Sequence, residues 1–79
     1  MLLNHRELRV FLSIAQAGSI NAAAERIGMT QPALSRSLRR LEETLGAPLF
    51  QRHAGGMTLT AFGETLRRHA EMVEFETSR

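Results

Sequence analysis

The chain has 79 residues and a formal net charge of +2, which leaves room for one small domain with a single hydrophobic core. It contains no cysteine, which excludes disulfides, thiolate metal sites and cysteine nucleophiles and suits a reducing cytosol. No apolar run approaches the roughly 20 residues that span a bilayer, and the apolar start is too short for a signal peptide, so we expect a cytoplasmic chain without a membrane partner.

The charges are unevenly divided along the chain. Residues 1–70 hold nine arginines and five glutamates, a net of +4, whereas residues 71–79 hold one arginine and three glutamates, a net of −2. A basic body favours an anionic partner, and arginine offers a planar fork of donors to phosphate oxygens and to the edge of guanine. Charge alone does not separate DNA from RNA or from an acidic protein.

Two helices are predicted in the first third of the chain. Asn4 and Glu7 have the spacing of a capping box, which opens a helix that runs to about residue 17. A glycine ends this helix, and Ser19 is placed to cap a second, alanine-rich helix over residues 20–27. The small residues of the second helix allow close packing of its backbone.

The stretch from Thr30 to Leu45 is predicted to be one amphipathic helix capped by Thr30. Its leucines recur at steps of four, three and four, so they fall on one buried stripe. The opposite face carries Pro32, Ser35, Arg36, Arg39 and Arg40. The span from Pro32 to Arg39 covers about 10 Å, which suits a major groove about 12 Å wide. Alternatively, these arginines only solvate a surface helix, and Arg39 pairs with Glu43.

A short turn at residues 28–30 joins the second and third predicted helices. Gly28 can take positive φ there, and Met29 can fill the corner between the helices. This layout is that of a helix-turn-helix. Helix pairs with a glycine turn also occur in helical domains that bind nothing, so the layout alone does not establish DNA binding.

A small hairpin is predicted after Pro48. Residues 49–52 and 57–60 have the pattern of two strands, with a glycine-bearing tip at 53–56. Arg52 and His53 would lie at an exposed edge, and a basic residue on such a wing can enter the minor groove. The alternative is a hairpin that only packs on the core, with Arg52 solvated.

The last helix is predicted to begin after Thr60. It has a stripe of residues on one side, which we expect to contact partly the domain and partly a second copy of the chain. The residues of this predicted dimerisation stripe are Phe62, Leu66, His69, Ala70 and Val73. No stop signal follows the helix, which predicts that the sequence is part of a longer protein.

The sequence offers no constellation for catalysis or for metal binding. Its three histidines fall in three different predicted elements, and it contains no aspartate. A zinc site or a Ser-His-Asp triad would need a convergence that the spacing does not indicate. We therefore expect no enzyme activity, no metal and no cofactor.

Four stretches in combination resemble the DNA-binding domain of LysR-type transcriptional regulators. They are Ala23-Ala24-Glu25-Arg26, Gln31-Pro32-Ala33-Leu34-Ser35-Arg36, Leu41-Glu42-Glu43-Thr44-Leu45-Gly46 and Pro48-Leu49-Phe50-Gln51-Arg52. The resemblance extends over residues 8–66. It implies a mainly α winged helix-turn-helix with a three-helix core and a small β-hairpin wing over residues 1–59. A long linker helix over residues 60–79 would follow and form a homodimer.

The resemblance also implies the function of a bacterial transcription regulator. Such a dimer binds a pseudo-palindromic site in double-stranded promoter DNA, with a recognition helix in the major groove and the wing at the minor groove. In the family, the positions matching Gln31, Pro32, Ser35 and Arg36 lie at the DNA, and that of Arg52 contacts the minor groove. The complete predicted DNA-binding surface is Ser19, Thr30, Gln31, Pro32, Ser35, Arg36, Arg39, Arg40, Arg52 and His53.

Each of these side chains has a chemical reason to contact DNA. Gln31 can pair with an adenine edge, Pro32 can rest on a thymine methyl group, and Arg36 can reach guanine or a phosphate. The helix starts at Ser19 and Thr30 can direct backbone N–H groups at phosphates. A bacterial nucleoid-associated location follows from this function.

The chain departs from the family pattern at three positions. Ser37 stands where a glutamine is common, Gly55 where a basic residue is frequent at the wing tip, and Phe62 where a small residue is usual. These differences affect base preference rather than fold. The family's effector-binding domain is absent from these 79 residues, so no small-molecule ligand is expected for them.

A second hypothesis is a winged helix that serves as a protein-interaction module, assembled through its last helix. The leucine stripe does not discriminate, because both hypotheses need it for the core. The outer arginines and Arg52 favour DNA.

Overall fold

A computed structural model describes residues 3–77, with side chains for residues 3–72. The described chain consists of four helices and one two-stranded antiparallel sheet. In chain order these are α1 (His5–Ala17), α2 (Ile20–Ile27), α3 (Gln31–Leu45), β1 (Phe50–His53), β2 (Gly56–Leu59) and α4 (Ala61–Thr77). The predicted mainly α winged helix-turn-helix is confirmed, with the hairpin of β1 and β2 as the wing.

Local capping interactions determine where the first three helices begin. Asn4 Oδ1 accepts the Glu7 N–H at 2.8 Å, and Glu7 Oε1 accepts the Asn4 N–H at 3.1 Å, which completes the predicted capping box. Ser19 and Thr30 each accept the N–H of the residue three positions later, at 3.1 and 3.3 Å. Each of these helices is followed by a glycine with positive φ.

One hydrophobic core connects all the elements. Its buried members are Leu8, Val10, Phe11, Leu12, Ile14, Ile20, Ala23, Ala24, Leu34, Leu38, Leu41, Leu49, Phe50, Leu66 and Ala70. The phenyl rings of Phe11 and Phe50 lie 5.6 Å apart between centroids, so the wing is joined to α1. Burial of a leucine such as Leu34, which has no exposed surface, contributes about 1.5–3 kcal/mol to folding. The predicted leucine stripe of α3 therefore holds that helix on the domain.

The wing is a tighter hairpin than its sequence pattern predicted. Phe50 pairs with Leu59 and His53 pairs with Gly56, so only residues 54 and 55 form the turn. The sequence pattern places His53 and Gly56 in a four-residue tip and extends the second strand to Thr60, and the structure differs at both points. Thr60 instead caps α4, because its Oγ1 accepts the Gly63 N–H at 3.0 Å and its hydroxyl donates to the Pro48 carbonyl at 2.8 Å.

The packing of α4 changes the role of part of the predicted dimerisation stripe. Leu66 and Ala70 have no exposed surface, because they pack in the core of this chain, and Phe62 is half-buried against the same core. His69 is exposed. Val73 lies outside the residues whose side chains are described. The apolar side of α4 therefore contacts the chain's own domain, and its buried residues have no surface to offer a second chain.

Candidate nucleic-acid interface

The outer face of α3 is polar and carries three arginines. Gln31, Pro32, Arg36, Arg39 and Arg40 are exposed, and Ser35 is half-buried. The opposite stripe is at most 4% exposed at Leu34, Leu38 and Leu41, so the direction of the outer face is fixed by the core. A rigid helix that presents donors and acceptors in this way can contact base edges if a duplex lies against it.

The hydroxyl groups at the starts of α2 and α3 are both used as caps. The oxygens of Ser19 and Thr30 each accept a backbone N–H, and a hydroxyl that accepts still has its own hydrogen to donate. The N–H groups of Ile20 and Asn21 in α2 and of Gln31 in α3 also lack partners within their helices, whereas Pro32 has no N–H. Both helix starts can therefore donate hydrogen bonds to an anion.

The wing presents two basic side chains to solvent. Arg52 and His53 are exposed on β1, and the Gly55 N–H donates to His53 Nδ1 at 3.2 Å. This hydrogen bond places the hydrogen of a neutral imidazole on Nε2, on the other side of the ring. His53 can therefore donate a hydrogen bond from Nε2.

The fold brings the wing, α2 and α3 together around one open concavity of about 300 Å³, which we call the wing cleft. It is lined by Ser19, Ile20, Asn21, Gln31, Arg52, His53, Ala54, Gly56 and Met57. Four predicted DNA-binding residues are thus collected from three elements, and none of the lining residues is acidic. A surface of this kind favours a single anionic partner that contacts all three elements.

Asn21 lies in the wing cleft although the sequence prediction did not include it. Its side chain is exposed at the second position of α2, beside the cap residue Ser19. The available signal was a polar residue among the apolar and small residues at the start of this helix. Asn21 adds an amide that can both donate and accept hydrogen bonds.

The other predicted residues lie outside the wing cleft. Arg36 and Arg40 line a second concavity, of about 640 Å³, between α1 and α3, which we call the α1–α3 cleft. Arg39 lines neither of these clefts and is exposed between them on the outer face of α3. The predicted surface is therefore wider than one concavity.

Most arginines of the described chain are not neutralised by carboxylates. Among residues 3–72, both ion pairs belong to Arg67, which contacts Glu64 and Glu71 at 3.3 Å on α4. Hydrogen bonding and attraction to Glu64, followed by attraction to Glu71, raise the pKa of Arg67 above its usual value. The pair between Arg39 and Glu43, which belonged to the alternative interpretation of α3 as a solvated surface helix, does not form. The arginines of α3 and the wing thus keep their donors available.

Among residues 3–72, no group of three or more histidine or carboxylate side chains is arranged to hold a metal ion. Over residues 3–77, no helix combines the length and apolar character needed to cross a membrane.

Comparison with protein families gives an independent result. The family model described as "Bacterial regulatory helix-turn-helix protein, lysR family" matches residues 5–64. The small neutral protease regulatory protein of Streptomyces coelicolor is 47% identical over 66 residues, which cover 84% of this chain and 20% of that protein. The regulator DgdR of Burkholderia cepacia is 46% identical over 66 residues, covering 84% and 22%. The chain thus spans about a fifth of the length of these relatives.

Solved structures show the same fold. The CbnR_DBD–DNA complex is 34% identical with a TM-score of 0.87, and the match covers 98% of this chain and 88% of that one. The complex of BenM_DBD with benA site 1 DNA is 29% identical with a TM-score of 0.90, covering 96% and 85%. Both of these similar domains were crystallised with DNA.

Proposed function

We propose, because the chain belongs to the lysR family of bacterial regulatory helix-turn-helix proteins, that it binds specific double-stranded DNA sites as a homodimer and regulates transcription. At the level of the family it is a LysR-type helix-turn-helix DNA-binding regulator. The dimer, the sequence specificity and the individual contacts are the proposal. A cytoplasmic location at the bacterial nucleoid is part of it.

One observation carries the proposal. Gln31 of α3, the α2 cap residue Ser19 and Arg52 of the wing line the same cleft, and none of the residues that line it carries a carboxylate. A recognition helix in the major groove would place the adjoining wing beside the neighbouring minor groove. The DNA complexes of the similar domains CbnR_DBD and BenM_DBD support this partner.

The contacts at the bases are assigned to α3. Gln31 and Pro32 are exposed at its first turn, where Gln31 can pair with adenine and Pro32 can pack on a thymine methyl group. Arg36 follows one turn later and can reach guanine. Ser35, Arg39 and Arg40 complete the outer face as base or phosphate contacts.

The contacts at the backbone are assigned to the helix starts and the wing. Ser19 and Thr30 would donate hydroxyl and backbone hydrogens to phosphates. Arg52 would enter the minor groove, whose negative potential attracts arginine, and His53 would donate from Nε2. These contacts position the domain, and the α3 contacts specify the sequence.

The homodimer is assigned to the exposed side of α4. Leu66 and Ala70 are buried in the chain's own core and would hold the helix rather than contact the second copy. His69 is exposed beside them, and the exposed Met72, with 65% of its surface in contact with solvent, extends this face by one turn. Phe62 and Val73 of the predicted stripe remain part of the proposed contact.

Selection from a pool of random duplexes tests the proposal, with fluorescence anisotropy of the bound pool at about 50 and 200 mM salt. Enrichment of a two-fold-related sequence is the expected result. Salt-sensitive binding without enrichment would contradict sequence specificity, and no binding at either salt concentration would contradict DNA as the partner. Sedimentation with and without the selected duplex tests the dimer, because one copy per site would exclude it.

A further inference from the structure

The α1–α3 cleft gathers three arginines that come from two different helices. Arg6 lies in the first turn of α1, whereas Arg36 and Arg40 lie one turn apart on α3. All three are exposed at the cleft, and Val10 and Met29 contribute apolar surface to its wall. Arg36 and Arg40 belong to the surface described above, but Arg6 has no assigned role.

The charge of this cleft is only partly compensated from within. Glu7 and Glu43 also line it. Glu7 accepts the Asn4 N–H at 3.1 Å as part of the capping box, and Glu43 forms no ion pair with described residues. Arg6, Arg36 and Arg40 likewise pair with no described carboxylate. Three guanidinium groups against two carboxylates, one of them engaged in a cap, leave a net positive cleft with free donors.

The position of Arg6 has a cost for α1. It is the second residue of the helix, close to the positive end of the helix dipole, where a cation is unfavourable. Folding alone therefore gives no reason for an arginine at this position, whereas binding of an anion in the cleft gives one.

The two clefts lie on opposite flanks of α3. At about 100° per residue, Gln31 and Ser35 fall on the flank beside the wing cleft, and Ser37 and Arg40 fall on the other flank. Pro32, Arg36 and Arg39 lie between them and face outward. A helix in the major groove has one phosphate backbone along each flank, so each cleft would face a different DNA strand.

We propose that Arg6 and Arg40 together bind a DNA backbone phosphate in the α1–α3 cleft, on the strand across the major groove from the wing. The inference rests on the proposed function and adds a binding residue in α1, outside the helix-turn-helix and the wing. Arg6 donates from one helix and Arg40 from the other, so that the phosphate joins α1 to α3. This contact positions α3 in the groove and carries no base information.

The test compares Arg6→Ala with Arg9→Ala on a duplex that the wild-type chain binds. Arg9 is exposed on the same helix but does not line the cleft, so it controls for the loss of one positive charge. For Arg6→Ala we expect affinity to fall roughly 3- to 10-fold, as for the loss of one ordinary hydrogen bond at a solvent-exposed position. We also expect the slope of log affinity against log salt to decrease by about one per bound copy. Arg9→Ala should keep the wild-type slope.

Two further measurements identify the phosphate and its second ligand. The first uses a series of duplexes that each carry one neutral methylphosphonate linkage. At one position, the neutral linkage should lower the affinity of the wild-type chain and leave the affinity of Arg6→Ala unchanged. The second uses the double variant Arg6→Ala with Arg40→Ala. Its fold loss of DNA affinity should be smaller than the product of the fold losses of the two single variants, because both side chains bind the same phosphate. Thermal unfolding of Arg6→Ala should occur at or above the wild-type temperature, which separates binding from folding.

The outcomes separate the two proposals. If the wild-type chain binds duplex DNA and Arg6→Ala matches Arg9→Ala in affinity and salt slope, the phosphate site is overturned and DNA binding stands. Binding of an acidic peptide at Arg6, with unchanged DNA binding in Arg6→Ala, would also overturn it. If the wild-type chain binds no duplex at any salt concentration, both proposals fail.

Discussion

Gly56 lies so close to Gly18 that a Cβ atom at position 56 would come within 2.6 Å of the Gly18 carbonyl oxygen. The same carbonyl accepts the Met57 N–H at 3.0 Å. This contact joins the tip of the wing to the turn between α1 and α2, which ends at the cap residue Ser19. The distance between Arg52 and the start of α2 therefore depends on a glycine at position 56.

Substitution of Gly56 by alanine should disturb both folding and DNA binding. Its φ of +133° is one that residues with a Cβ rarely adopt, and the backbone carbonyl cannot easily move away. We expect Gly56→Ala to lower the free energy of unfolding by about 2 kcal/mol or more. Chemical denaturation measures this loss, and anisotropy on a bound duplex should show weaker binding under conditions where the variant is folded.

The neighbouring glycine supplies a matched control. A Cβ atom at Gly55 would meet only the His53 ring, at an ordinary 3.6 Å. Gly55→Ala should therefore stay within about 0.5 kcal/mol of the wild type. Equal stability of the two variants would show that the contact with Gly18 does not constrain the wing.

Local features of the fold could be predicted from the sequence because their causes lie within a few residues. Asn4, Ser19 and Thr30 cap the helices as predicted, since each bonds a backbone group three positions away. The leucine stripe of α3 followed from helical periodicity alone. The roles assigned to individual residues at the DNA stay predictions.

Contacts between distant parts of the chain could not be predicted in this way. Periodicity placed Leu66 and Ala70 on one face of the last helix but could not tell which surface covers that face, and it is the domain's own core. The bond from Met57 to Gly18 joins residues far apart in sequence, and no local pattern encodes it. Asn21 entered the candidate site for the same reason, because only the folded wing brings Arg52 beside it.

Gly63 should be required for the docking of α4. Replacing a glycine inside a helix by alanine usually stabilises the fold by about 1 kcal/mol. Here a Cβ atom would collide with the Leu49 carbonyl oxygen and approach the Leu59 side chain to 2.9 Å. We therefore expect alanine to destabilise the protein at this position. Gly63→Ala should lower the free energy of unfolding, measured by chemical denaturation, by about 1–3 kcal/mol. Thr65→Ala, at an exposed position of α4, should change it little. A Gly63→Ala variant as stable as the wild type would refute the close approach.

The carboxylate of Glu42 should stabilise the connection from α3 to the wing. Its Oε2 accepts the N–H of the fully buried Leu49 at 2.7 Å. Glu42→Ala leaves this N–H without an acceptor and should lower the free energy of unfolding by about 1–3 kcal/mol. Glu42→Gln keeps an acceptor oxygen and should lose less.

The adjacent glutamate tests whether charge alone explains the effect. Glu43 is exposed, and among the described residues it forms no ion pair or hydrogen bond. Glu43→Ala removes the same charge from α3, so we expect urea denaturation to show almost no change. Equal losses in Glu42→Ala and Glu43→Ala would assign the effect to net charge and not to the Leu49 hydrogen bond.

Arg36 should contribute to DNA affinity without contributing to folding. It is exposed in the middle of the outer face of α3 and pairs with no described carboxylate, so its removal breaks no contact within the domain. Arg36→Ala should weaken binding to a selected duplex by roughly 1–3 kcal/mol, the range for one good base contact, while thermal unfolding is unchanged. Arg9→Ala removes the same charge from the exposed side of α1, outside both clefts, and should bind nearly as the wild type does. If Arg36→Ala weakens all duplexes equally, Arg36 holds a phosphate. If it relaxes the preference at one base pair, Arg36 reads that base. An affinity equal to that of Arg9→Ala would remove Arg36 from the interface.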